Sequence, residues 1–138
     1  MFEDASFSGA VGERLTMGTP PDLSEVTVGV VKLGSADGAR QARDWMHAQE
    51  LRQPCFEACI FSPRELSISG VPTATAVQQV PNSGAPPEGG QLPPTHYLVE
   101  FTEGPYLYFA STDGSRGDAR RVVAATQLYY KHVRKLSG

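Results

Sequence analysis

The chain has 138 residues, of which 40% are apolar, 20% charged and 9% aromatic, with fourteen Gly and eleven Pro. That length fits one domain, the apolar content excludes a globally disordered chain, and no apolar run approaches the ~20 residues of a membrane-spanning helix. The net charge of −3 argues against nucleic acid as a partner, although residues 115–138 hold six basic groups against one acidic.

Residues 1–24 read as a weakly structured lead-in to a single domain over 25–138. Phe2, Phe7, Val11 and Leu15 recur near every fourth position, the spacing of a short amphipathic helix. Gly9 and Gly12 weaken that helix, and Gly18-Thr19-Pro20-Pro21 stops it. Glu25–Leu33 is the first clear strand: Val26, Val28 and Val30 line one face, and Val31 and Leu33 make the other apolar near its end, as in a strand covered on both sides. Ser35 or Asp37 then caps a helix over 36–52. In it Ala39, Ala42, Trp45 or Met46, and Gln49 form the packing stripe, while Arg40, Arg43, Asp44, His47 and Glu50 face solvent. Pro54 forbids continuation.

Glu65–Ser69 reads as a short strand, Gly70-Val71-Pro72 as a turn, and Ala74–Val80 as another strand. Residues 81–95 hold five Pro and three Gly in fifteen positions, a long surface loop of the functional or flexible kind. His96–Glu103 and Tyr106–Ser111 form a hairpin about Gly104-Pro105. Tyr97, Val99 and Phe101 alternate on its first strand, Tyr106, Tyr108 and Ala110 on its second. Leu98, Leu107 and Phe109 give the other face apolar character. Asp118 caps a final helix whose stripe is Val122, Ala125, Thr126, Tyr129, Val133 and Leu136. The order β-α-β-β-β-β-α implies an α+β fold, an antiparallel sheet of four to five strands with both helices on one face.

The motifs G-x-G-x-x-G, G-x-x-x-x-G-K-[ST] and G-x-S-x-G are absent, so the sequence offers no phosphate cradle and no nucleophile elbow. It offers no catalytic set, no metal site and no cofactor. Cys55 and Cys59 have the spacing C-x-x-x-C, which matches neither a C-x-x-C redox site nor a four-ligand zinc site. The simplest reading is a local disulfide of an oxidising compartment; two free thiols, or a metal or redox pair, are the alternatives. His96 and Glu100 lie four apart on one strand and share a face. With Glu100 or Glu103, His96 makes an acid/base pair if a pocket holds them and a solvated polar face if none does. His47 and His132 read as solvated helix-surface residues. Tyr97, Phe101, Tyr106 and Tyr108, with His96, are the candidate contact surface; the alternative is that the rings fill the core.

The run Val28–Leu33, the Ala/Arg-rich helix Ala36–Arg52, Gln53-Pro54-Cys55, Gly70-Val71-Pro72 and Tyr97–Phe109 resembles small extracytoplasmic domains of high-GC actinobacteria, often lipoprotein-anchored. The resemblance spans about residues 25–136. It implies export and a local disulfide, and it supplies no catalytic residues. The leading expectation is therefore a non-enzymatic, secreted or membrane-anchored binding module for a protein or small ligand. Its export segment or anchor would lie outside this sequence and would give peripheral association with membrane or cell wall. A cytoplasmic protein, a small hydrolase or isomerase using His96 with Glu100 or Glu103, and a homodimeric assembly subunit are the other readings.

Overall fold

The computed structural model describes residues 9–17, 24–52, 61–81, 95–114 and 119–137, with the backbone alone at 10–17, 24–26 and 114. Its elements are β1 (Gly9–Met17), β2 (Ser24–Lys32), α1 (Ala36–Leu51), β3 (Phe61–Glu65), β4 (Thr75–Pro81), β5 (Thr95–Glu103), β6 (Tyr106–Gly114) and α2 (Ala119–Ser137). The strands form one six-stranded sheet in the order β1-β2-β6-β5-β4-β3, antiparallel at every pairing. From β2 onward the element order and the α+β class are those the sequence implies.

Strand β1 is an addition. Residues 9–17 pair with β2 along their whole length, from Gly9 opposite Lys32 to Met17 opposite Ser24, so the lead-in over 1–24 contains an edge strand. A spacing of four satisfies the period of a strand as well as that of a helix, and pairing with β1 covers an edge of β2 that would otherwise be open. Strand β3 occupies Phe61–Glu65 rather than Glu65–Ser69. It carries Pro63 and lies at the other edge of the sheet, where a missing backbone donor is tolerated.

The two helices lie on opposite faces of the sheet, which corrects the expectation that both cover one. Paired residues of neighbouring strands share a face, and the register puts Val31, Leu107 and Thr102 on one side and Val30, Tyr108 and Phe101 on the other. Helix α1 packs Ala39, Ala42 and Met46 against Leu33, Val31 and Leu107. Helix α2 packs Tyr130 and Val133 against Phe101, with Tyr108 and Tyr129 alongside and Val71 from the 66–74 segment. The apolar character on both faces of β2 and of the hairpin requires this arrangement, because each face needs its own cover.

Local chemistry fixes the elements. Ser35 caps α1 by accepting from the Gly38 amide at 3.0 Å. The β5–β6 turn places Gly104 at φ 55° just before Pro105, the left-handed first position of a two-residue hairpin turn. The 66–74 segment is tied to both helices: Arg43 Nη1 donates to the Thr73 carbonyl at 2.7 Å and Gln127 Nε2 to the Ser69 carbonyl at 2.7 Å. In α2 the buried residues are Thr126, Tyr130 and Val133, while Leu136, assigned to the stripe from the sequence, is 76% exposed. Among the described residues no helix is long and apolar enough to cross a membrane.

Candidate functional site

The face that carries α1 holds two polar constellations. The first lies beneath the helix. His47 and Glu50 are one turn apart, so both point the same way, and they meet Glu100 of β5, whose residue is only 1% exposed. One ligand atom from each of the three lies within 4.8 Å of the others. His47 Nε2 is 3.0 Å from Glu65 Oε1 on edge strand β3. Thr75 Oγ1 on β4 donates to Glu100 Oε2 at 3.0 Å. Gln79 Nε2 donates to the Glu50 carbonyl at 3.0 Å. Among the described residues, His47 Nδ1, Glu50 Oε2 and Gln79 Oε1 are buried without a hydrogen-bond partner.

Burial raises the pKa of Glu50 to about 9, reinforced by its hydrogen bond to the Glu100 carboxyl and by that group's charge. Burial also raises Glu100, against the lowering effect of hydrogen bonds from Glu50 and Thr75 and of the His47 and Arg43 charges. Two carboxyl groups this close, away from water, disfavour simultaneous ionisation. Arg43, His47 and Glu50, expected on the solvent face of α1, are all partly buried instead. The signal was present, because Ala39, Ala42, Arg43, Met46 and Glu50 fall at i, i+3, i+4, i+7 and i+11, one continuous stripe.

The second constellation is a cleft of about 390 Å³ on the part of this face beyond the helix end, lined by Thr27, Phe61, Gln79, His96, Tyr97, Leu98, Ser111, Thr112 and Asp113. His96 on β5 is directly opposite Asp113 on β6, and its Nδ1 is paired with Asp113 Oδ1. The Phe61 ring lies 5.2 Å from the imidazole, tilted by 51°.

No protein-family model matches the chain, and no curated protein shows significant similarity to it. The chemistry of the two constellations is therefore the guide to function.

The residues singled out from the sequence divide. His96 and Glu100 do share a face, but Glu100 lies four residues along the strand, about 13 Å away, beneath α1. Glu103 is on the opposite face, where burial chiefly, with its charge as a minor addition, raises the pKa of Tyr108. The carboxylate that His96 meets is Asp113, to which no sequence spacing points; only the strand register brings the two together. Tyr97 and Phe101 are core residues, 1% and 2% exposed, so their rings do not form a contact surface. Phe101 stacks on Tyr108 with ring centroids 4.9 Å apart and meets Tyr129 and Tyr130 edge-on. Tyr108 is half-buried and Tyr106 is exposed, so only these two rings of the hairpin set reach the surface on that side. His132 is exposed, as expected. Cys55, Cys59, Asp118 and residues 82–94 of the proposed loop lie outside the described residues.

Proposed function

We propose that the chain is a binding module whose cleft takes a small, hydroxyl-bearing ligand. The observation that carries this reading is the convergence of His96, Asp113 and Gln79 with the Phe61 ring around a cavity of about 390 Å³. That combination of a few directed polar groups and an aromatic wall is the ordinary make-up of a small-molecule site, and the volume is in its usual range. Asp113 at Nδ1 leaves His96 Nε2 free to accept from a ligand hydroxyl, while Phe61 offers a flat apolar surface. A fragment library of hydroxylated rings, screened by NMR on the labelled protein, tests this. Hits should shift His96, Leu98 and Ser111 together, and Phe61→Ala or His96→Ala should weaken them at least tenfold. Hits that map to Tyr106 and Tyr108 instead would refute the cleft and favour the hairpin surface.

A second reading, hydrolysis or isomerisation, draws support from one contact. A carboxylate at Nδ1 is how a histidine base is oriented, so the acid/base pair to test is His96 with Asp113, not with Glu100 or Glu103. Export, anchoring to membrane or cell wall, and the disulfide rest on the sequence resemblance and the Cys55/Cys59 spacing. A homodimer would use Leu128 and Leu136, 70% and 76% exposed on α2; light scattering that returns a strict monomer removes it.

A further inference from the structure

We propose that His47, Glu50 and Glu100 form a divalent-metal site, for Zn²⁺ or Mn²⁺, that clamps α1 to the sheet. The three residues come from two elements that pack face to face, and their ligand atoms already lie within 4.8 Å of one another. A metal ion needs such a cluster with lone pairs to spare, and this cluster has them. His47 Nδ1 and Glu50 Oε2 are buried with no hydrogen-bond partner among the described residues. Buried polar atoms are rarely left in that condition without a reason.

The surrounding shell has the form that a metal site uses. A ligating histidine ordinarily gives its other ring N–H to a carboxylate, which fixes the tautomer and aims the remaining nitrogen at the metal. His47 Nε2 meets Glu65 Oε1 at 3.0 Å, so Nδ1 is the ligating atom. Thr75 Oγ1 holds Glu100 Oε2 at 3.0 Å, orienting that carboxylate from below. Gln79, 3% exposed, holds the main-chain carbonyl of Glu50 through Nε2 and so fixes this end of α1 on the sheet. Two carboxyl groups are held together there, and a dication that displaces their proton satisfies both at once. One imidazole with two carboxylates is a mixed donor set, suited to Zn²⁺ or Mn²⁺ and poorly to soft ions that favour thiolate. Three protein ligands leave further coordination positions for water. Because His47 and Glu50 sit on α1 and Glu100 on β5, the bound ion ties helix to sheet.

The test uses the full chain carrying Cys55→Ser and Cys59→Ser, so that thiols do not compete, after treatment with EDTA and buffer exchange. ZnCl₂ and MnCl₂ are titrated by calorimetry, and unfolding is followed with and without each ion. The proposal expects one ion per chain, a higher Tm with metal, and at least a tenfold loss of affinity in each of His47→Gln, Glu50→Gln and Glu100→Gln. His132→Gln should bind as the parent does. Binding that survives Glu100→Gln undiminished, or no binding of either ion, overturns it. If a variant fails to fold, Mn²⁺ broadening of amide resonances in the parent still decides. Broadening centred on residues 47, 50 and 100 supports the site, and broadening centred on His96 and Asp113 refutes it.

Discussion

Glu50 of α1 and Glu100 of β5 meet carboxyl to carboxyl between the helix and the interior of the sheet. The contact sets the pH response of the metal-free protein. Folding raises the pKa of both groups above the ordinary 4.5, Glu50 to about 9, chiefly through burial. A carboxyl with a raised folded-state pKa binds its proton more tightly in the folded chain than in the unfolded one. Its stabilising share is complete below pH 4.5 and is lost as pH rises toward 9. Chemical denaturation in EDTA should therefore show stability falling between pH 5 and 9, by at most about 1.4 kcal/mol per pH unit for one proton. Glu50→Gln should flatten that slope. A stability that rises steadily over the same range contradicts the buried pair.

Thr75 is the neutral partner of this pair. Its hydroxyl is a donor to Glu100 Oε2, and an acceptor in so buried a place has no water to replace it. Thr75→Val keeps the shape of the side chain and removes the donor, so it should cost about 1–3 kcal/mol by urea unfolding. Thr75→Ser, which retains the hydroxyl, should lose less. Equal losses would mean that the methyl packing, not the hydrogen bond, is what matters.

The aromatic residues on the other face should separate sharply. Phe101 is 2% exposed and touches Tyr108, Tyr129 and Tyr130 through stacked and edge-on contacts. Phe101→Ala should therefore cost about 3–5 kcal/mol. Tyr106 lies 38% exposed at the hairpin end, with its ring 5.9 Å from Lys32 Nζ. Tyr106→Ala should cost about 1 kcal/mol or less, since an exposed cation–π contact contributes little. Thermal unfolding of the two variants side by side checks the assignment of these rings to core and surface.

The parts of the fold that follow from local pattern were legible in the sequence. The Ser35 cap, the Gly104-Pro105 turn and the alternation of Tyr97, Val99 and Phe101 depend on residues near one another in the chain. The placement of the helices was less legible. Both faces of the hairpin carry apolar residues, and that pattern does not say which helix takes which face. The candidate sites depend on register. His96 meets Asp113 across seventeen positions, and Glu50 meets Glu100 across fifty, so neither pair has a sequence spacing to recognise. Glu50 also ran against the rule that helix carboxylates face solvent, although its position in the Ala39–Met46 stripe placed it inward.

Gly29 and Phe109 provide the closest test of that register. They are paired across β2 and β6, and the Phe109 ring lies flat over the glycine. A Cβ at position 29 would come within 2.7 Å of both ring Cε atoms, closer than carbon atoms tolerate. Gly29→Ala must therefore displace the ring or the strand, and overpacking of this kind typically costs about 1–3 kcal/mol. The ring is half-buried, so the aromatic side chain is what yields. Phe109→Ala alone should also destabilise, by lost burial. Combined with Gly29→Ala it should cost less than the sum of the two, since the clash is then absent. A coupling of about 0.5–3 kcal/mol is the expected range for residues in contact. Urea unfolding of the four proteins in this cycle measures it directly. Strict additivity would mean that Phe109 does not rest on Gly29, and that the pairing of β2 with β6 is shifted from the one described.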